Sequence, residues 1–313
     1  MSKLFKLIGA FTASVFLLLS ITTSVSAEKK ILFSIKGPGS GNPFWASVTK
    51  GAEEEAAKLG VKLILIAPPQ EGDVQAQINQ VEDQLAKGVD ALALAPGDPN
   101  AFAPIVDDAI KSGVPVVFVD TKGINEGVTF IGTNNMNGAE LAAKFICDKT
   151  PKGSDVAILT GIESQSTALL RRDGAIKGFK NCGLNLVATQ TAEWDTAKGR
   201  SVTESIILKN PNIKAIFASN DNMGLGAMQA LKDADMNDVI VVGFDATPDA
   251  ATSILKGEMT ATIAQFSYNM GAYGVKYALE LANGGSIDPN IDTGTQLVTC
   301  LLYTSPSPRD SAL

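Results

Sequence analysis

The chain has 313 residues, 45% of them hydrophobic, and 33 acidic against 26 basic side chains give it a net charge of -7. An acidic chain with no Lys/Arg block lacks the basic footprint that nucleic acid partners require. It contains no histidine, so the commonest general base and the commonest metal ligand are both missing, which argues against an enzyme.

The amino end reads as an export signal. Lys3 and Lys6 precede a mainly apolar stretch over 7–21, and Val25-Ser26-Ala27 supplies small residues for cleavage. The stretch is short for a membrane span of about 20 residues, and no Cys follows the cleavage point for lipid attachment. The mature chain is expected to begin near Glu28 and to be exported to the periplasm. About 285 residues then remain, enough for two domains of ordinary size.

Strands and helices alternate from there. Residues 31–35 read as a strand and 43–59 as a helix, with Val48, Ala52, Ala56 and Leu59 along it and Gly60 as its stop. A strand over 61–66, a helix over 74–87, a strand ending at Ala95, a helix over 102–111 and a strand ending at Asp120 follow. A short strand sits at 130–131. The second half repeats the rhythm: helix 137–148, strand 155–160, helix 167–180, strand 186–188, helix 197–209, a strand ending at Ser219, helix 223–232 and a strand ending at Asp245. A strand over 260–265 and a helix over 269–281 close the series. Two apolar runs share one layout, Val114 to Asp120 and Val239 to Asp245, each ending on an acid. Continuous apolar runs suit strands buried on both faces of a parallel sheet.

The expected fold is α/β, with two doubly wound parallel-sheet lobes. Residues 28–131 with 264–293 form one lobe and 132–263 the other. The last β–α unit is expected to return to the first lobe, so the chain crosses near Gly132, Ala264 and Thr293, a three-segment hinge. Open α/β sheets place ligands at the carboxyl ends of their strands, where Asp120, Asn220, Asp245 and Gln265 stand.

Cys147, Cys182 and Cys300 match no zinc spacing. In an oxidising compartment Cys147 and Cys182, each near a helix carboxyl end, could form a disulfide or stay as two buried thiols. Residues 300–313 carry a Ser-Pro-Ser-Pro run without strand or helix signal, and read as a non-native or disordered tail.

Gly37-Pro-Gly-Ser-Gly41 follows the first strand, yet Asn42 stands where a dinucleotide loop needs its third Gly, and no Gly-Lys-Ser/Thr appears. It reads as a flexible turn. Asn42-Pro43 suits a helix cap and first turn. Phe44 and Trp45 then point about 100° apart, so at least one faces the loop side. Trp194, in a polar loop, reads as an exposed stacking surface, or as cover for a helix end. Arg171 and Arg172 are placed near a helix start, where a cation opposes the macrodipole and asks for a partner.

Asn42-Pro-Phe-Trp45, Asp120, Gly243-Phe-Asp245-Ala-Thr-Pro248 and Thr260-Ala-Thr-Ile-Ala-Gln265 together resemble the ribose-type periplasmic sugar-binding proteins that serve ABC importers. Glu71-Gly-Asp73, Arg171-Arg172-Asp-Gly174 and Glu193-Trp-Asp195 are most similar to the allose-binding members. The resemblance runs over 31–291. It implies a type I periplasmic binding protein, a monomer without cofactor, with a monosaccharide ligand, a membrane permease as partner and in some cases a chemoreceptor. It also implies that Phe44, Trp45 and Trp194 sandwich a pyranose and that Asp120 and Asp245 accept its hydroxyls. Arg171 or Arg172, Asn42, Asn220 and Gln265 complete the polar set. Ala95 and Thr121 depart from the ribose binder, which has an amide and an arginine there, so a hexose or related polyol is expected. A repressor core of the same fold would need a DNA-binding head, where an export signal stands instead; paired Asp120 and Asp245 permit a carboxylate glycosidase, but export, the missing histidine and the lack of a substrate-sized insertion weigh against it.

Overall fold

The computed structural model describes residues 28–300. The export signal expected over 1–27 and the tail beyond Cys300 lie outside the described residues.

Eight elements come first: β1 (Lys30–Ser34), α1 (Pro43–Leu59), β2 (Lys62–Ile66), α2 (Val74–Ala86), β3 (Ala91–Leu94), α3 (Pro99–Lys111), β4 (Val116–Val119) and β5 (Thr129–Gly132). The second lobe contains α4 (Asn135–Lys149), β6 (Asp155–Thr160), α5 (Ser166–Cys182), β7 (Asn185–Thr191), α6 (Thr196–Lys209), β8 (Ala215–Ala218), α7 (Asp221–Asp233), β9 (Ile240–Asp245), α8 (Pro248–Leu255) and β10 (Ala261–Ala264). Then come α9 (Ser267–Ala282), β11 (Asn290–Asp292) and β12 (Gln296–Val298).

The apolar runs became the inner strands of two six-stranded sheets. Every residue of β3, β4, β5 and β8 is buried, as strands covered by helices on both faces require. The sheets have equivalent orders, β11-β5-β4-β3-β1-β2 and β12-β10-β9-β8-β6-β7. All pairings are parallel except β10 with β12. Side-chain caps start the helices: Asp73, Asp98, Asn134, Asp195, Asn220 and Thr247 each accept a first-turn N–H. Gly60, at φ 65°, ends α1 in the left-handed conformation expected of it.

The last β–α unit differs from expectation. β10 stays in the second sheet beside β9, and only α9 crosses to the first lobe, where it packs on α1 and on β3 and β4. Thr262 holds the strand in place, donating its hydroxyl to the buried Asp221 carboxylate at 2.6 Å. The α1–α9 contact is a backbone approach. A Cβ on Gly271 would lie 1.9 Å from the Val48 carbonyl, and one on Gly51 2.0 Å from that of Tyr268. Three elements carried too little pattern to read in sequence, the eight-residue α8 and the three-residue strands β11 and β12.

The chain passes between lobes after β5, after β10 and between β11 and β12. The Gln265 carbonyl accepts the hydroxyls of Thr133 (3.4 Å) and Thr293 (3.2 Å), while the Thr293 N–H donates to Gly132 (3.0 Å). All three passing segments are thus tied together at one level.

Cys147 and Cys182 are bonded, joining the carboxyl ends of α4 and α5 across 6.1 Å between Cα atoms. The bond closes a loop of 35 residues, for which about 2–4 kcal/mol of stabilisation is typical. Replacing both cysteines by serine is expected to lower the denaturation midpoint by that equivalent in guanidinium titration, leaving a folded protein.

Candidate ligand-binding site

Every wall of the cleft is built at the carboxyl ends of strands. Lys36 follows β1, Glu71 lies after β2, and Asp120 ends the run of β4. Facing them, Trp194 follows β7, Asn220 follows β8, Asp245 ends β9 and Gln265 follows β10. Arg171 and Thr167 reach in from α5. Together with Asn42, Phe44 and Trp45 they line one space between the lobes.

The backbone is strained where it delivers these side chains. Seven described non-glycine residues have positive φ, and six of them, Asp120, Glu193, Trp194, Asp245, Ala246 and Phe266, border the cleft or hinge. Asp tolerates such angles better than most residues, but Trp194 at 65° and Asp245 at 122° are costly conformations that surrounding contacts must hold.

On the first lobe's wall, Lys36 is 4% exposed and its ammonium lies 3.0 Å from Asp120 Oδ2. It also donates to Thr121 Oγ1 (2.7 Å), and across the cleft to Thr167 Oγ1 (3.2 Å). Thr121 donates in turn to Asp120 Oδ2 at 2.8 Å. Oδ1 of Asp120 keeps no protein donor among the described residues. Asn42 caps α1 with its Oδ1, and its amide reaches Glu71 Oε2 at 3.4 Å, the oxygen that also takes the Trp45 indole N–H at 3.0 Å.

The second lobe's wall is organised by Arg171. Its Nε donates to Asn135 Oδ1 (2.7 Å), Nη1 to the Ser219 carbonyl (2.8 Å) and Nη2 to Gln265 Oε1 (3.2 Å). Nη1 stands 3.5 Å from Asp245 Oδ1, which also accepts from Gln265 Nε2. The guanidinium carbon lies over Phe244, 3.9 Å from the ring centre. Asn220 caps α7 through Oδ1 and donates its amide to the Trp194 carbonyl at 3.2 Å. Asn42, Asn220 and Gln265 thus spend most of their capacity on the protein and serve to align the acids, the arginine and the rings.

The rings close the faces. Lys36 Nζ lies 5.8 Å from the centre of Trp45 and 5.9 Å from that of Trp194, so the two indoles, one from each lobe, flank the same point. Phe44 meets Trp45 edge-on at 4.9 Å.

Nine of the ten residues expected at the site line this space; Arg172 does not. One position further round α5, it turns away and pairs with Asp173 at 2.7 Å on the outer face. Arg171 sits in the second turn of α5, not at its start, and four neighbouring carboxylates, Asp245 foremost, balance its charge. The expectation of an exposed Trp194 is also corrected. Trp194 is 6% exposed, packed among second-lobe residues such as Ala168 and Met223, and its N–H donates to Gln165 Oε1 at 2.8 Å. Sequence reasoning passed over Lys36, Glu71 and Thr167 as site residues. Each lies in a loop or first turn at a strand's carboxyl end, and Glu71 also belongs to the Glu71-Gly-Asp73 motif of the resemblance.

Burial dominates the electrostatics. Asp221, fully buried behind Asp245, is pushed up to about 7 by desolvation, against the hydrogen bonds from Thr262 and Thr247. Asp245 is raised well above the usual carboxylate value, by burial first, with Arg171 opposing and Asp221 adding to it. Both acids hold protons more tightly folded than unfolded. The stability they contribute is therefore fully present below about pH 4 and declines as pH rises toward their folded values. Asp221→Asn is expected to flatten the fall in melting temperature between about pH 5 and 7, read by differential scanning calorimetry of the ligand-free chain.

The site has close relatives. A sequence profile of the periplasmic binding protein domain matches residues 33–286. The ribose import binding protein of Bacillus subtilis is 36% identical over 259 residues, covering 82% of this chain and 84% of that protein. The D-allose-binding periplasmic protein of Escherichia coli is 35% identical over 285 residues, covering 87% and 90%. Among solved structures, a carbohydrate transporter solute binding protein from Agrobacterium radiobacter, in complex with D-arabinose, superposes with a TM-score of 0.84 at 30% identity, covering 92% of this chain and 99% of its own. With the family profile spanning most of both lobes, and relatives above 30% identity aligned nearly end to end, this chain belongs to the periplasmic binding protein family, in its ribose-type branch.

Proposed function

We propose that this chain is an exported receptor that captures one monosaccharide in its pyranose form, a hexose such as allose or a related polyol, and hands it to the permease of an ABC importer. The observation that carries the reading is the placement of Asp120 and Asp245. They come from opposite lobes, line one space, and are each oriented by a buried cation, Lys36 and Arg171. A neutral, hydroxyl-rich guest suits that wall. Three lining carboxylates and two cations leave little net charge for an ion to answer, and each acid has an oxygen to offer a hydroxyl. The two indoles offer flat faces to the C–H surfaces of a ring.

Charged hydrogen bonds contribute roughly 1.5–3 kcal/mol each. Three or four with stacking reach about 8 kcal/mol, micromolar binding, after ordering costs. The departures from the ribose binder favour a hexose. Ala95 is buried and its carbonyl is taken by Gln77 at 2.8 Å, while the Thr121 hydroxyl is held between Lys36 and Asp120. Neither supplies the ligand with a donor. The relatives named for ribose, allose and arabinose share the binding class and leave the identity of the sugar to experiment.

A thermal-shift panel of monosaccharides and polyols is expected to show stabilisation by at least one hexose or polyol, and isothermal titration to give micromolar affinity or tighter. Asp245→Ala should weaken that binding at least tenfold, and Arg172→Ala should leave it unchanged. A panel in which no sugar or polyol stabilises the protein removes the reading.

A further inference from the structure

Among the described residues, the hydrogen bonds that cross the mouth of the cleft all come from one stretch, Ser164, Ser166 and Thr167 at the start of α5. Ser164 donates to the Gly97 carbonyl (3.3 Å) and Ser166 to the Lys122 carbonyl (3.2 Å), so these two meet only the backbone of the first lobe. The other joins side chains: Lys36 donates to Thr167 Oγ1 at 3.2 Å. Both residues are buried, where water does not compete for the bond. Thr121 Oγ1 (2.7 Å), Asp120 Oδ2 (3.0 Å) and Thr167 Oγ1 surround the Lys36 ammonium, and an ammonium has three protons to give. With the lobes together, the lysine is filled by protein. It braces one oxygen of Asp120 and leaves Oδ1 to a guest.

Thr167 and Arg171 stand four residues apart on α5, hence on one face of it, and both line the guest space. Arg171 stands against Asp245, while Thr167 reaches Asp120 through Lys36. The helix that carries them is fixed in its own lobe. A Cβ on Gly174 would lie 2.5 Å from the Met136 carbonyl, and one on Gly178 2.4 Å from the Ala143 Cβ, so α5 and α4 meet at backbone distance.

We propose that Thr167 is a positioning residue that registers Asp120 against Asp245. When the lobes meet, its hydroxyl takes the last proton of Lys36. The Lys36–Asp120 pair is then held at a set distance from Arg171 and Asp245 by one turn of α5. In an open cleft Lys36 loses that acceptor, and Asp120 is braced from its own lobe alone. The two acids therefore reach their working spacing only on closure, and a guest whose hydroxyls span that spacing is the one gripped. Removing the Thr167 hydroxyl shortens the life of the closed complex. The encounter of an open cleft with its guest does not involve it.

The inference rests on the sugar-receptor reading for its role in binding, and on the Lys36–Thr167 bond alone for its role in closure; two measurements keep these apart. Stopped-flow kinetics with the best-binding sugar are expected to show dissociation about tenfold faster in Thr167→Val, the size of one hydrogen bond to a charged group, with association within about twofold of the parent. Thr167→Ser keeps the hydroxyl and should restore the parent rate. Ser166→Ala removes a bond of the same seam that does not reach Asp120, and should change dissociation by less than about twofold. Unchanged dissociation in Thr167→Val, no rescue by serine, or an equal loss in Ser166→Ala would overturn the proposal. The second measurement needs no sugar. Small-angle X-ray scattering of the ligand-free chain is expected to give a larger radius of gyration for Thr167→Val than for the parent, and the parent's value for Thr167→Ser. One radius for all three would show that the bond has no part in closure, whichever guest binds, and would equally sink the idea. Far-UV circular dichroism and the melting temperature confirm that each variant folds, and Thr167→Ala takes the place of Thr167→Val if the valine does not.

Discussion

The buried guanidinium of Arg171 is the constraint on which the cleft depends. Its donors go to Asn135 at the start of α4, Ser219 after β8 and Gln265 in the hinge, and it stands against Asp245 at the end of β9. One side chain therefore fixes four separately encoded segments. A charge removed from water is costly, and a buried pair seldom stabilises a protein more than an apolar replacement of the same shape. The arrangement is retained for orientation. Gln265 bonds Arg171 with its oxygen and Asp245 with its amide, while its own carbonyl ties Thr133 and Thr293. The group that aligns the second lobe's acid is thus part of the strand crossing about which the lobes turn.

Strain and saturation belong to the same design. Asp245, Ala246 and Trp194 hold backbone angles that side chains rarely adopt, and such angles persist only where neighbouring contacts over-determine them. Here the contacts are visible: Asn220 on the Trp194 carbonyl, Gln165 on its indole, and Thr262 donating to the Asp221 carboxylate that receives Thr247 N–H just beyond Asp245. Asp221 never reaches the guest space. It fastens the turn after β9 from behind, and burial raises its proton affinity as a consequence.

Much of this was legible in the sequence, for reasons that differ by element. Strands without alternation could be read because burial on both faces tolerates only apolar residues, and helix ends because Asn42 and Gly60 have conformational reasons to stand there. The acids could be read because a polar residue closing such a run has a cleft to serve. What could not be read was direction. Nothing in adjacent Arg171 and Arg172 tells which one faces inward, since that depends on the phase of α5 against β6 and β7. Lys36 was obscured by the glycine-rich turn beside it, and Trp194 looked exposed because its cover comes from residues distant in sequence, Gly161, Gln165 and Ala168. The destination of β10 was hidden too. Its apolar pattern suits either sheet, and Thr262 reaching Asp221 selects the second.

The hydrogen bonds between the lobes at the mouth are few among the described residues: Lys36 with Thr167, Ser164 with Gly97, and Ser166 with Lys122. A hydrogen bond formed on folding contributes about 1 kcal/mol net, and these three are offset by drying Lys36, Asp120, Glu71 and Asp245. The empty cleft therefore has little hydrogen bonding of its own at the mouth to hold it shut. In such a case the guest decides the population, because only the closed state lets it touch both lobes, and it can shift the balance by no more than its difference in affinity for the two states. A cleft held shut by many contacts of its own would keep its guest out. One with none would spend much of the guest's binding energy on ordering the lobes. The sparse seam and the heavily braced walls meet both needs, with rigidity placed inside each lobe and indecision left between them.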